Sequence, residues 1–353
     1  MLRRPYSLAL AAAALTGAAA VLVSLHTGLP MRDPDGVAGP SYVRLPLILC
    51  LFVLADMLPR AVRRVNDMGQ IWTSCRDVLH ERWPWWRVRI ALLGLGAFYV
   101  TYVAYRNLKN YLPTVREERY DDWLGISDRI LFLGADPARL LHEMLGTGVA
   151  AHVLSSVYIS YVMLVPISLA AALVWNRNIS LGFWYVTALC VNWALGAASY
   201  YLLPSVGPRY IDGEYFQATL PDTGVSALQD GLWNSRLKVL LTPWETNSIH
   251  GVAAFASLHV SVVFTAAYCA HRAGLHRWLR RGLWAYLGLT VLSTVYFGWH
   301  YVVDDIAGIG IGWIAVTLGA LATGNEARTG KTAISQHEPV AIPAASQAER
   351  IRS

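Results

Sequence analysis

Residues 296–313 read "YFGWHYVVDDIAGIGIGW", and the fold turns on how this stretch is taken. Its second half is apolar and runs on through "IAVTLGALA", so 302–322 has the roughly 20 apolar residues that cross a bilayer as one helix. At its start stand His300, Asp304 and Asp305. Ionisable groups at a membrane boundary are expensive to keep without a purpose. The glycines from Gly308 lie inside the apolar run. A dinucleotide fingerprint needs a preceding strand and a βαβ unit, so close packing of helices explains them better.

The rest of the chain agrees with a membrane setting. Of 353 residues, 55% are hydrophobic and 15% charged, with a mean hydropathy of +0.38; a soluble protein carries about 25% charge. Eight apolar stretches have the length of spans: about 6–26, 42–58, 88–105, 151–174, 182–203, 252–271, 283–298 and 302–322. The first follows Arg3 and Arg4 and has a signal-peptide look; seven further apolar runs favour a retained span. The expected fold is all-α, a polytopic membrane helical bundle of about eight transmembrane helices. Its expected parts are 1–87, two spans and a basic loop; 88–322, a six-helix catalytic membrane domain; and 323–353, a polar, disordered tail. The cysteines Cys50, Cys75, Cys190 and Cys269 show no metal or redox spacing and read as core residues.

Loop charge orients the bundle. Residues 59–90 hold seven arginines against three acids, and 271–282 hold Arg272, Arg277, Arg280 and Arg281 with no acid. Such loops stay in the cytoplasm. Eight spans put both loops and both termini there, and put 106–150 and 204–251 outside. The net charge of +6 therefore reads as topology and attraction to anionic lipid, not as nucleic-acid binding. Within 106–150, "DRILFLGADPARLLHEMLG" (128–146) has helical apolar spacing between charges and reads as an interfacial helix.

Three elements carry chemistry. His300 and Asp304 are four apart and share a helical face, so the carboxylate can accept Nδ1–H and leave Nε2 as nucleophile or base; a helix-end histidine capped by an acid is the plainer alternative. "FASLHVS" (255–261) puts Ser257 and His259 at a helix start, where free N–H groups favour an anion; alone, His259 reads as a core histidine. "LLPSVGPRY" (202–210) ends in Arg209, whose guanidinium suits a phosphate; alone, it reads as an interface arginine. The topology places all of them at the outer boundary. Asp305 is expected to face away and cap the helix.

These residues resemble the signatures of the type 2 phosphatidic acid phosphatase superfamily: Lys-x6-Arg-Pro, Pro-Ser-Gly-His and Ser-Arg-x5-His-x3-Asp. Ser293, Thr294, His300 and Asp304 keep the third spacing, and Ala256-Ser257-Leu258-His259 is similar to the second motif. Ser-Leu-His, His-Tyr-x-x-Asp, "PSVGPRY" and "DRILFLGADP" look most like the inositolphosphotransferase branch, which includes fungal inositol phosphorylceramide synthase. The resemblance covers about 100–322, a six-helix phosphatase-like core. Three departures stand out: Leu202 replaces the first-motif Lys, Thr294 the third-motif Arg and Ala256 the second-motif Pro. Arg106 and Lys109, on the same side, are candidates to replace the missing cations.

The resemblance implies a mechanism and partners. His300 is expected to attack phosphorus, Asp304 to orient it and His259 to shuttle the proton, with Arg209, Ser257, Arg106 and Lys109 binding phosphate, and with no metal or other cofactor. The implied reaction moves a phosphoryl or phospho-alcohol group, phosphoinositol included, from a phospholipid donor to a lipid or glycan acceptor; hydrolysis by water is the alternative. Many Arg, Ala and Trp and few Lys point to a bacterial plasma membrane, with no preferred oligomeric state. A transporter would instead carry its ionisable groups near the midplane.

Overall fold

The structure is a computed structural model that describes residues 6–34, 39–65, 67–175 and 178–326. Among these residues it is all helical, with no strand. Its helices are α1 (Ser7–Thr27), α2 (Ser41–Val62), α3 (Ile71–Arg82), α4 (Trp85–Val115), α5 (Asp121–Leu131), α6 (Pro137–Leu145), α7 (Val149–Val174), α8 (Ile179–Leu202), α9 (Pro208–Ile211), α10 (Gly213–Thr219), α11 (Gly224–Leu241), α12 (Leu258–Arg272), α13 (Arg277–Tyr296) and α14 (Val302–Thr323). The expected tail lies, from residue 327 on, outside the described residues, and so do Arg3, Arg4 and both termini.

Six helices, α1, α2, α4, α7, α8 and α14, are long and apolar enough to cross a membrane. The chain is thus membrane-embedded and polytopic. The other two expected spans became α12 and α13. With 15 residues, α12 is short, and α13 opens on Arg277, Arg280 and Arg281. They pack against each other, α12 also against α14 and α8, and α13 also against α7 and α6. Most of α12 is buried, so its environment is protein, and the chain before it need not be helical if its polar groups are satisfied.

That condition is met over 250–256. The His250 N–H donates to Asn110 Oδ1 (3.0 Å), Ala254 N–H to the Ser205 carbonyl (3.0 Å), Phe255 N–H to Ser205 Oγ (2.9 Å) and Ala256 N–H to Ser199 Oγ (3.0 Å). Polar side chains of α4, α8 and the turn after α8 thus take the place of a helical ladder.

The core lies between α1, α4, α8 and α12. Trp193 packs edge-on to Tyr105 (4.6 Å) and Tyr102 (5.3 Å), a favoured aromatic geometry. The α14 glycines do what the sequence suggests. A side chain on Gly308 would strike the Ser257 carbonyl, and one on Gly312 would meet the Ser261 carbonyl at 2.8 Å; their absence lets α14 close on α12. Cys190 and Cys269 are core residues as expected, whereas Cys50 sits on the outside of α2 and is exposed.

Two other expectations change. The interfacial helix over 128–146 is two helices, α5 and α6. Leu133 (φ 54°) and Gly134 (φ 97°) reverse the chain between them, and the Asp136 carboxylate, with Pro137 at the first position, starts α6. Their outer edge is apolar, with Trp123, Ile130, Leu133 and Met144 largely exposed, which suits a membrane interface. Arg106 and Lys109 do not lie in a loop; α4 continues to Val115 and carries both in its last turns.

Candidate active site

The site forms where α12, α14 and the turn 297–301 meet the end of α4. Ser257 caps α12 by accepting the Val260 N–H (3.4 Å), and its own N–H donates to the Asp304 carbonyl (3.0 Å). That carbonyl contact is possible because Gly308 brings α14 close. The Leu258 and His259 amides, at the start of α12, find no acceptor among the described residues. They are the donors a helix start offers an anion.

His259 is sandwiched by Tyr158 (4.7 Å) and Tyr161 (4.3 Å), and its ring centroid is 5.8 Å from that of His300. His300 is buried and lies against the Ala254 carbonyl. Burial holds its ring well below the usual histidine range, with His259 and Lys109 adding to the effect, so the imidazole is neutral and keeps a lone pair. Asp304 Oδ2 stands 3.5 Å from His300 Nδ1 while accepting the Tyr301 N–H at 3.0 Å. The 3.5 Å contact is longer than a good hydrogen bond; such contacts tighten when substrate binds.

Lys109 is the cation that reaches this pair. Its ammonium lies over the Tyr200 ring at 4.8 Å and is close enough to act on both His259 and His300. It has no carboxylate partner among the described residues. Arg106, one turn earlier on α4, leaves its buried Nε without a partner.

Arg209 is buried near the same turn but engaged elsewhere. Its guanidinium donates to Gln229 Oε1 (3.2 Å) and the Gly213 carbonyl (3.0 Å) and reaches Asp230 at 3.5 Å. Its backbone N–H donates to the Gly298 carbonyl (2.8 Å), and Gln229 bonds the Phe297 carbonyl (2.9 Å). Arg209 therefore braces the turn that carries His300. Ser257 likewise spends its N–H and hydroxyl on holding α12 to α14.

Asp305 does not face away. It is buried, and Thr294 Oγ1 donates to its Oδ2 at 2.9 Å; the Ser257 hydroxyl reaches it too. Neighbouring residues on a helix point about 100° apart, and α14 is covered here on both of those sides. Thr294, which stands where the family pattern has Arg, thus donates to a carboxylate of the chain itself.

Two acids that spacing alone did not single out shape the entrance. Asp121 accepts the Val206 (3.0 Å) and Gly207 (2.9 Å) N–H groups and the Tyr301 hydroxyl (3.2 Å). Asp128 accepts the Val302 (2.8 Å) and Val303 (3.1 Å) N–H groups at the start of α14. Between these helices lies a cavity of about 440 Å³, lined by Asp121, Asp122, Asp128, Asp136, Tyr215 and His300 among others. His259 and Lys109 do not line it. Among the described residues no three His, Cys, Asp or Glu side chains converge as a metal-ligand set.

Two histidines and an acid thus stand together at one end of the core of a membrane-embedded helical bundle. A model of the PAP2 superfamily matches residues 126–318, more than half the chain, and the protein belongs to that superfamily. The match includes Arg209, Ser257, His259, His300 and Asp304 and begins after Arg106 and Lys109. No curated protein and no solved structure gives a match. Membership indicates a phosphatase- or phosphotransferase-type activity.

Proposed function

We propose that this protein is a membrane phosphotransferase that moves a phospho-alcohol group from a lipid donor to an alcohol through a phosphohistidine. The observation that carries the reading is the His300–His259 pair, 5.8 Å apart, with the Lys109 ammonium acting on both. A His300 ring nitrogen attacks phosphorus, the bond to the donor's lipid oxygen breaks, and His259 gives that oxygen a proton. His259 then takes the proton of the incoming hydroxyl, whose oxygen attacks phosphorus and releases His300. Asp304 holds the imidazolium that forms. Lys109 and the Leu258 and His259 amides stabilise the charge on the non-bridging oxygens.

Leaving group and acceptor take the same position beside His259 in turn, so the group that stays on His300 needs its own room. The cavity beside His300 supports that assignment. Its carboxylates disfavour a second anion and suit a hydroxylated head such as a polyol, which favours transfer of a phospho-alcohol over bare phosphoryl transfer or hydrolysis.

Purified protein incubated with head-labelled phospholipid, with and without alcohol acceptors, tests this. A labelled acceptor conjugate is the expected product. Free phosphate or free phospho-alcohol as the sole product in every mixture would leave a hydrolase. Loop charge favours an outward-facing site: cysteines at Thr223 and Ser248, in an otherwise cysteine-free protein, are expected to react with an impermeant thiol reagent in intact cells. One at Gly274 is expected to react only after permeabilisation, and the reverse pattern moves the chemistry to the cytoplasm.

A further inference from the structure

The two histidines of the site are held by different means. His300 has the Asp304 carboxylate 3.5 Å from its Nδ1 and lies against the Ala254 carbonyl. His259 has no such partner: among the described residues no carboxylate, carbonyl or hydroxyl is bonded to its ring, and the one charge that acts on it is Lys109. A histidine that moves protons normally owes its ring orientation to a hydrogen bond at the other nitrogen. Something else orients His259.

What surrounds it is aromatic. Tyr158 and Tyr161 stand three apart on α7 and so share a face. Their rings lie on His259 at 4.7 Å with planes 28° apart and at 4.3 Å with planes 44° apart. Behind Tyr158 stands Trp299, its ring parallel to within 2° and 5.1 Å away. Tyr210 meets Trp299 edge-on at 6.2 Å. All are favoured aromatic arrangements, and Tyr158, Tyr161 and Trp299 are buried. Neither the Tyr158 nor the Tyr161 hydroxyl bonds another described group, so these residues act on His259 through their faces. Trp299 is also the residue before His300. The 5.8 Å between the two histidine rings is therefore set by a stack of rings and not by a bond between them.

We propose that Tyr158 and Tyr161, with Trp299 behind Tyr158, are the positioning residues of His259, and do for it what Asp304 does for His300. This rests on the reading in which His259 protonates the leaving oxygen and then takes the proton of the acceptor. The choice of rings has a chemical reason. A carboxylate beside His259 would favour the imidazolium and hold the proton there. Ring faces fix the plane of the imidazole without adding a charge, so the same group can give a proton in one step and take one in the next.

The first test needs no turnover. The full chain in nanodiscs, labelled at histidine, is observed by solid-state NMR, with the His259 signal identified by its loss in His259→Ala. The order parameter of the His259 ring is expected to fall from about 0.85 to below about 0.6 in Tyr158→Leu and in Tyr161→Leu, and to hold in Tyr158→Phe and Tyr161→Phe. Two positions keep the test valid if one variant fails to fold. An unchanged order parameter in the leucine variants, or an equal fall in the phenylalanine variants, would overturn the proposal. The second test reads the consequence, as first-turnover release of the leaving group from hexyl phosphate and from p-nitrophenyl phosphate. Hexanol leaves only with a proton and p-nitrophenolate leaves without one. The leucine variants should slow release of hexanol by about tenfold or more and release of p-nitrophenolate by less than about threefold. Equal slowing of both would make the tyrosines ordinary packing and overturn the proposal. If His259→Ala itself slows both esters alike, the proton-transfer reading of His259 falls, and the order parameter alone decides whether the rings hold it.

Discussion

His300 borders two regions of opposite electrostatics. On the cavity side stand Asp121, Asp122, Asp128 and Asp136; towards α4 stands Lys109. The two regions satisfy themselves differently. Asp121, Asp128 and Asp136 each accept backbone N–H groups, so they are part of the architecture with or without a ligand. Lys109 has no such partner among the described residues. One region is finished by the fold and the other is left for a ligand, and this asymmetry orients a substrate: its anionic part towards α4, its hydroxylated part towards the acids.

The largest effect should come from removing the centre that the two regions share. His300→Ala is expected to lower turnover by at least about a thousandfold, with an unchanged elution profile and a melting temperature near that of the parent. Near-normal turnover would detach both regions from the chemistry. Asp304→Asn is expected to cost about a hundredfold, because the amide keeps the shape and the Tyr301 contact but not the charge that steadies the imidazolium.

Lys109→Met tests the unfinished region directly. A lysine that is 7% exposed and lacks an acid is a burden on the empty fold, offset only in part by the Tyr200 ring. Methionine fills similar space without charge. Turnover should fall by about a hundredfold or more, while stability should rise by about 1 kcal/mol, a few degrees in melting temperature. A loss of stability in a thermal scan would show that Lys109 belongs to the architecture, like the acids.

Arg209→Lys is expected to do the opposite. Its guanidinium bonds Gln229, Gly213 and Asp230, contacts that a lysine cannot reproduce together. The expected result is about 1–2 kcal/mol of lost stability and a donor KM within about threefold of the parent, as for a residue that never touches substrate. A large rise in KM at constant stability would return Arg209 to the phosphate.

What the sequence discloses of this site follows its locality. His300 and Asp304 are four residues apart, and Ser257 and His259 two apart; each pair straddles the start of a helix, and so short a separation keeps its members close and readable. The apolar runs are readable for the same reason, and so the bundle is. Loop charge and hydropathy do not say where α4 ends, so Arg106 and Lys109 read as loop cations although three more turns of helix hold them. The extended segment before α12 takes its course from Asn110, Ser199 and Ser205. No periodicity records contacts across 50 to 140 residues. Arg209 carries the right chemistry for phosphate; only its neighbours, Gln229 above all, show that it is already used.

Asp305 is the sharpest case of such misreading and gives the smallest expected effect. It adjoins Asp304, is as buried, and was expected to point outward. Thr294 Oγ1 donates to it at 2.9 Å, the Ser257 hydroxyl reaches it, and neither His300 nor His259 is among its partners. Asp305→Asn keeps an oxygen that accepts from Thr294 and removes a buried charge, and the amide nitrogen can turn to the carboxylate's unpartnered side, Oδ1. Turnover should stay within about threefold of the parent and stability should hold or rise slightly, since a buried carboxylate is replaced by a neutral isostere. The comparison that matters is with Asp304→Asn measured alongside it. A hundredfold gap between two adjacent carboxylates places the chemistry on the His300 side of α14. Equal losses would mean that the Thr294–Asp305 contact sets the position of His300, and that the threonine standing where the family has arginine controls the site through the acid beside it.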